Sequence, residues 1–128
     1  MSYYFTKTVD ISFEEAILKV TEELKKEEFG VLTEIDVKAT MKKKLDVDFR
    51  NYKILGACNP PSALKALQAE EKIGLLLPCN VIVQENNEGK TEVSAINPIV
   101  SMQAVNNQGL ADIAEDISAR LQRVINNL

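Results

Sequence analysis

The 128-residue sequence contains no histidine and no tryptophan, and it has only two cysteines. Without histidine the chain has no imidazole base and no histidine metal ligand, which excludes Ser-His-Asp and Cys-His catalytic sets. Two thiols cannot complete a four-cysteine zinc site. We therefore expect no metal and no cofactor. No recognisable catalytic set remains, but a reaction that uses a thiol alone is not excluded. The sequence therefore does not decide whether the chain is an enzyme.

The charge balance also limits the choice of partners. Fifteen basic and 19 acidic side chains give a net charge of −4, so the chain lacks the positive surface that binds a phosphate backbone, and we do not expect a nucleic-acid partner. Residues 1–10 do not have the pattern of a signal peptide, and no segment approaches the roughly 18 apolar residues of a membrane span. We expect a cytoplasmic protein with no membrane partner.

The chain shows no sign of a domain boundary. No linker-like, low-complexity or repeated segment interrupts it, so residues 1–128 are predicted to form a single domain. Cys58 and Cys79 are too far apart in sequence for a CxxC motif. In a reducing compartment two such thiols are expected to stay free, and no structural disulfide is predicted.

The N-terminal part is predicted to be a strand followed by a helix. Alternation of aromatic and β-branched residues over 3–9 predicts the strand, with Lys7 as a polar misfit on its apolar side. Ser12 begins a capping box, which predicts a helix over about 12–28. Gly30 is the expected left-handed residue after the last turn.

Alternation over 31–38 predicts a second strand, with every second residue from Val31 to Val37 facing inward. Asp36 and Lys38 then share its outer face, where a carboxylate and an ammonium can transfer a proton or bind a polar ligand. The alternative is an ordinary solvated face. A partner subunit covering that face would favour the functional interpretation, because buried charges need partners.

The middle of the chain is predicted to alternate helices and strands. A short lysine-bearing helix is expected at 40–45, and a third strand over 52–58, in which Gly56 marks a bulge or a close backbone approach. Asn59 is a favourable N-cap for a helix over about 60–70 because two prolines follow it. This helix is expected to bury its two leucines.

The C-terminal part is predicted to be a hairpin followed by a long helix. Residues 74–85 form an apolar strand in which Pro78 requires an edge position, a bulge or a break. A turn at 86–89 leads to a strand over 90–97. From residue 110 onward the apolar residues recur at helical spacing, so a terminal helix should pack on the sheet.

These elements predict an α+β fold, in which an antiparallel sheet of about five strands has helices on one face. Three stretches, 30–38 (GVLTEIDVK), 52–61 (YKILGACNPP) and 74–81 (GLLLPCNV), make the chain similar to the domain of unknown function 302 family. The resemblance implies a TBP-like arrangement, β-α-β(4)-α with short inserted helices, and a homodimer. It carries no implication of DNA binding, because one fold hosts unrelated functions.

The strongest candidate site is a repeated Cys-Asn pair, Cys58-Asn59 and Cys79-Asn80, each at an expected irregularity of a strand. Cys58 precedes a predicted helix N-terminus, where the helix dipole favours a thiolate that can act as a nucleophile or a soft ligand. The alternative is structural. In that case both thiols are small buried groups, Asn59 only caps its helix, and Asn80 only satisfies a bulge.

The leading hypothesis is a dimeric small-molecule-binding or accessory protein, with the two Cys-Asn pairs lining its site and Asp36 and Lys38 as further candidate ligand-binding residues. A second hypothesis is a thiol-dependent enzyme that handles sulfur or persulfide species through Cys58, and a depressed pKa of that thiol would favour it. A third is a purely structural dimeric interaction module, which an exposed apolar patch beyond the dimer interface would favour.

Overall fold

The computed structural model describes residues 1–128. Its strands are β1 (Tyr4–Val9), β2 (Gly30–Asp36), β3 (Tyr52–Cys58), β4 (Cys79–Glu85) and β5 (Thr91–Ile96). Its helices are α1 (Phe13–Lys26), α2 (Val37–Leu45), α3 (Pro60–Ala69), α4 (Pro98–Ser101) and α5 (Ala111–Asn126). Two short 3₁₀ turns lie at Ile73–Leu76 and Gln108–Leu110.

The five strands form one sheet in the order β1-β5-β4-β3-β2, and every neighbouring pair is antiparallel. The predicted α+β class and the five-stranded antiparallel sheet are therefore confirmed. Because β4 and β5 are joined by a tight turn in which Gly89 has a φ of 75°, the predicted hairpin is confirmed as well.

Helices α1 and α5 pack on the same face of this sheet, which we call the helix side. Their apolar stripes meet the inward residues of β3, β4 and β5 in one continuous core. The fully buried members of that core are Val20, Leu24, Leu55, Val81, Val83, Val93, Leu121 and Val124. The opposite face, which α1 and α5 leave uncovered, is called the open side below.

Helix α1 begins as predicted and ends differently. The Ser12 hydroxyl accepts a hydrogen bond from the Glu15 amide at 3.1 Å, as an N-cap should. At the other end, Glu28 and not Gly30 takes the left-handed conformation, with a φ of 67°. The Phe29 amide donates to the Leu24 carbonyl at 2.9 Å, which makes this end a Schellman motif, and the buried Phe29 ring anchors it to the core.

Lys7, the polar residue on the apolar side of β1, has hydrogen-bond partners at the end of the last helix. The Lys7 ammonium donates to the backbone oxygens of Leu128 at 2.7 Å and Asn126 at 3.3 Å. These oxygens lie at the C-terminal end of α5, where helix carbonyls have no partner within the helix and the dipole favours a cation. Lys7 therefore joins the first strand to the last helix.

The predicted alternation of β2 is wrong beyond its first residues. A bulge between Val31 and Thr33 shifts the register against β3, so Ile35 pairs with Ile54 on the open side and not with the core. One extra residue in a strand reverses which side chains face inward. The strand also ends at Asp36, and the helix expected at 40–45 already begins at Val37.

Helix α3 occupies the predicted span, but the expectation that it buries Leu64 and Leu67 is wrong. Both leucines are exposed, and Ala66 is the buried residue of this helix. Together with Ile73, Met102, Leu110 and Ala114, it forms a second small core. The close approach of α3 therefore depends on a small side chain.

The apolar stretch from 74 begins with a turn and not with a strand. Residues Ile73–Leu76 form a 3₁₀ turn, and β4 begins only at Cys79, directly after Pro78. The expected break at this proline is confirmed. Gly56 on β3 is also a close approach, as predicted, because a methyl group there would overlap Thr33 Oγ1 and lie 2.7 Å from Pro78 Cγ.

Candidate functional site

A cavity of about 290 Å³ opens beside the sheet, where β3 passes into α3 and β4 begins. It lies on the helix side, between α3 and α5. Its walls are the residues Phe29, Leu32, Ala57, Cys58, Asn59, Ser62, Ala63, Ala66, Leu67, Gly74, Leu77, Pro78, Cys79, Pro98, Met102, Ile113, Ala114 and Ile117. Most of these walls are apolar.

Asn59 borders the cavity, but its amide is already occupied. Its side-chain oxygen accepts from the Ser62 amide at 3.2 Å, which caps α3, and its nitrogen donates to the Glu27 carbonyl at 3.3 Å. The side chain is buried at 5% exposure. Asn59 therefore joins the start of α3 to the end of α1, and the capping role expected of it is confirmed.

Cys79 lies at the start of β4, opposite Ala57, and faces the core. Burial, followed by the nearby Cys58, raises the pKa of the Cys79 thiol to about 11. At neutral pH the group is therefore a protonated thiol and a weak nucleophile. Both cysteines are free, and both line the cavity.

Asn80 lies apart from the other three residues of the repeated Cys-Asn pairs. It pairs with Gly56, is exposed, and does not line the cavity. Neighbouring residues of a strand point to opposite faces, so Asn80 projects to the open side while Cys79 projects inward. The structure thus brings together Cys58, Asn59 and Cys79, and leaves Asn80 outside.

Asp36 and Lys38 do not share a strand face, so the structural basis of that candidate pair is wrong. Asp36 is the N-cap of α2, where its carboxylate accepts from the Ala39 amide at 2.9 Å. Lys38 lies in the first turn of α2, is exposed, and is not part of the cavity. The strand was predicted too long because an apolar residue at 37 continues the alternation into the helix.

The electrostatic character of the cavity is neutral. No Asp, Glu, Lys or Arg is among its lining residues. Every fully buried side-chain nitrogen and oxygen in the molecule has a hydrogen-bond partner, so no buried polar group is left unsatisfied. No cluster of three or more His, Cys, Asp or Glu side chains is placed to hold a metal ion. The cavity can shelter an apolar group.

The far wall of the cavity was not found by sequence reasoning. Pro98, Met102, Ile113 and Ile117 come from α4, α5 and the segment between them. In sequence the two isoleucines belong to the apolar stripe of the terminal helix. Such a stripe has the same spacing whether it faces a packed core or a cavity, so no signal distinguishes the two.

Fold and cavity together define a small α+β domain with an apolar pocket between its sheet and its helices. Residues 5–128 match the domain of unknown function DUF302, and the chain belongs to this family. It is also similar to an uncharacterized conserved DUF302 protein of Bacillus stearothermophilus, known from a crystal structure. That likeness has a TM-score of 0.91 and 31% sequence identity, and it covers 98% of each chain.

No curated protein matches the chain. None of its helices combines the length and the apolar character needed to cross a bilayer.

Proposed function

We propose that this chain is a small-molecule-binding protein whose ligand occupies the cavity bordered by Cys58, Asn59 and Cys79. The observation that carries this proposal is an apolar cleft of about 290 Å³ beside the main core. The cleft is open to solvent on one side, and a concave apolar surface of this kind is typical of a site that binds a small molecule. Ligand sites are mostly apolar clefts of roughly 300 Å³ or more, and this cavity lies at the lower end of that range.

In this proposal the Cys-Asn residues shape the site and do not carry out a reaction on the ligand. Asn59 holds the wall in place through its bonds to Ser62 and Glu27. The raised pKa of Cys79 keeps it a neutral, weakly polar surface. The alternative, a thiol-dependent enzyme that handles sulfur or persulfide species through Cys58, would receive no second thiolate from Cys79 at neutral pH.

Filling the cavity should abolish binding. Ala63 is a half-buried lining residue of α3, and the substitution Ala63→Leu adds three carbon atoms toward the cavity. Titration of the fluorescent probe 1-aminoanthracene should give saturable binding to the wild type and at least ten-fold weaker binding to Ala63→Leu. A matched control is Ala119→Leu, at an exposed position of α5, which should bind as the wild type does.

Two results of this titration would overturn the proposal. One is the absence of saturable probe binding by the folded wild type. The other is equal binding by Ala63→Leu and wild type, because the probe would then lie elsewhere on the surface. Circular dichroism of each variant shows that the comparison is between folded proteins.

We also propose that the protein acts as a homodimer through the open side of its sheet. Ile35, Ile54 and Ile82 form a row across β2, β3 and β4 on this side, and polar residues of β4 and β5 flank it, as polar residues flank the apolar part of a dimer interface. Five strands of about six residues give a face of roughly 24 by 20 Å. Two such faces together bury on the order of 1,000 Å², which is enough for a specific interface.

A further inference from the structure

We propose that the cavity takes the hydrocarbon tail of an amphiphile, while the polar head of that molecule stays outside. The inference rests on the proposed function and specifies the chemical class of its ligand. Three observations carry it: the chemistry of the walls, the surface around the mouth, and the volume.

The walls offer no charged partner to a ligand, and apart from Asn59 and the two thiols their one polar side chain is the Ser62 hydroxyl. They contain no ionisable side chain apart from the two thiols, and the amide of Asn59 is already bonded to backbone groups on both sides. An ionised head placed inside would lose its hydration without gaining a charged partner, which is strongly unfavourable. The part of the ligand inside the cavity is therefore hydrocarbon.

The surface around the mouth is apolar as well. Leu32 and Leu67 line the cavity, yet they remain 67% and 44% exposed. Leu64 lies one helical turn before Leu67, and Leu75 directly follows the lining residue Gly74; these two leucines are 58% and 86% exposed. Because Leu64 and Leu75 are next to lining residues in sequence, we infer that all four leucines border the mouth, and we call Leu32, Leu64, Leu67 and Leu75 the leucine rim. A soluble surface rarely groups exposed leucines in this way without an apolar partner.

The volume limits how much of a tail fits inside. At about 290 Å³ the cavity lies at the lower end of the range for ligand sites, so a long hydrocarbon tail does not fit entirely inside it. Such a tail must continue across the leucine rim, which brings its head to the solvent. This arrangement gives every exposed leucine of the rim an apolar contact when the ligand is bound.

A chain-length series tests this inference. Straight-chain alkanoates of 6 to 14 carbons, and alkyltrimethylammonium ions with the same tails, compete with 1-aminoanthracene below their micellar concentrations. We expect affinity to rise roughly three- to four-fold for each carbon until the cavity is full, and more slowly beyond that length, because each buried methylene contributes a constant free energy. Since the head stays outside, the two head charges should give similar affinities.

Removing part of the rim should affect long tails more than short ones. The double variant Leu64→Ser/Leu75→Ser leaves the cavity walls intact, and it should lower the affinity for tetradecanoate several-fold more than that for octanoate. The matched control is Leu18→Ser/Leu45→Ser, which removes two other exposed leucines from α1 and α2, outside the cavity. It should bind both alkanoates as the wild type does.

The outcomes separate this inference from the proposed function. If the wild type binds the probe but competition does not grow with tail length, or depends on the sign of the head charge, the ligand class is wrong and small-molecule binding stands. If the rim variant binds tetradecanoate as tightly as the control does, the rim has no part in binding. If the wild type binds no probe at all, the proposed function itself fails.

Discussion

At the residue scale, the buried thiol of Cys79 lines the cavity and makes the stability of the fold depend on pH. Its folded-state pKa of about 11 lies above the ordinary thiol value near 9, mainly because the side chain is buried. Between these two values the folded protein keeps a proton that the unfolded chain has lost. Raising the pH through this window therefore favours unfolding, while below about pH 9 the contribution of the thiol to stability is fully present.

We predict that the free energy of unfolding of the wild type falls between pH 8 and pH 10 by about 1 kcal/mol more than that of Cys79→Ala. Urea denaturation at both pH values measures the difference. The core-truncation cost of the variant is the same at the two pH values and cancels from the comparison. Parallel pH dependence in the two proteins would show that the thiol is not shielded from solvent.

Single residues also show what the sequence reveals about the site. Cys58, Asn59 and Cys79 could be found because each stands where one element ends or another begins, and such positions are visible in sequence. Asn80 was grouped with them because of a repeated dipeptide, although alternation along a strand places it on the other face. The alternation of the strand therefore predicts the position of Asn80 correctly, whereas the repeated Cys-Asn dipeptide does not.

At the element scale, the end of α1 contains a residue in a strained backbone conformation, and the energetic cost of that conformation can be measured. Glu28 adopts the left-handed conformation at a φ of 67°, which a side chain disfavours and glycine does not. We predict that Glu28→Gly is more stable than Glu28→Ala by about 1 kcal/mol in urea denaturation. Both variants lose the exposed ion pair with Arg120, at 3.5 Å, so that weak contact cancels from the comparison.

The alanine variant is the control for this prediction, because it removes the carboxylate without relieving the backbone. Equal stabilities of Glu28→Gly and Glu28→Ala would contradict a left-handed residue at this position. A lower free energy of unfolding for Glu28→Gly than for Glu28→Ala would also contradict it, because glycine would then relieve no strain in the folded state.

The elements that could be predicted are those fixed by local chemistry. The cap at Ser12, the hairpin turn at Gly89 and the stripe of α5 all depend on residues within a few positions of one another. The bulge in β2 and the exposed Leu64 and Leu67 depend on contacts between distant segments, so no local pattern reveals them. The left-handed Glu28 was missed for a similar reason: the burial of Phe29 decides where the helix ends.

At the scale of the whole molecule, the open side of the sheet is the surface proposed for dimerisation. Ile35 lies on the edge strand β2 beside Ile54 and is 48% exposed, so it has room to contact a second sheet. We predict that Ile35→Glu converts a dimer to a monomer in sedimentation velocity without loss of secondary structure, because each subunit would bury a carboxylate that has no partner in the interface. The TBP-like arrangement and the cytoplasmic location stay predictions.

A charge placed elsewhere is the control for this effect. Leu18 is 67% exposed on α1, so Leu18→Glu introduces the same carboxylate at a surface that is not part of the open side. This variant should sediment as the wild type does. A monomeric wild type, or a dimer that survives Ile35→Glu, would contradict an interface formed by this face.

The most direct test of small-molecule binding is the mass of the freshly purified protein, measured under native and under denaturing conditions. We predict an excess mass in the native spectrum of the wild type that disappears on denaturation, because a ligand held only by apolar contacts leaves when the cavity unfolds. The same excess should be absent from Ala63→Leu and present in Ala119→Leu. Identical native and denatured masses for the wild type, or an adduct that Ala63→Leu retains, would contradict a ligand in this cavity.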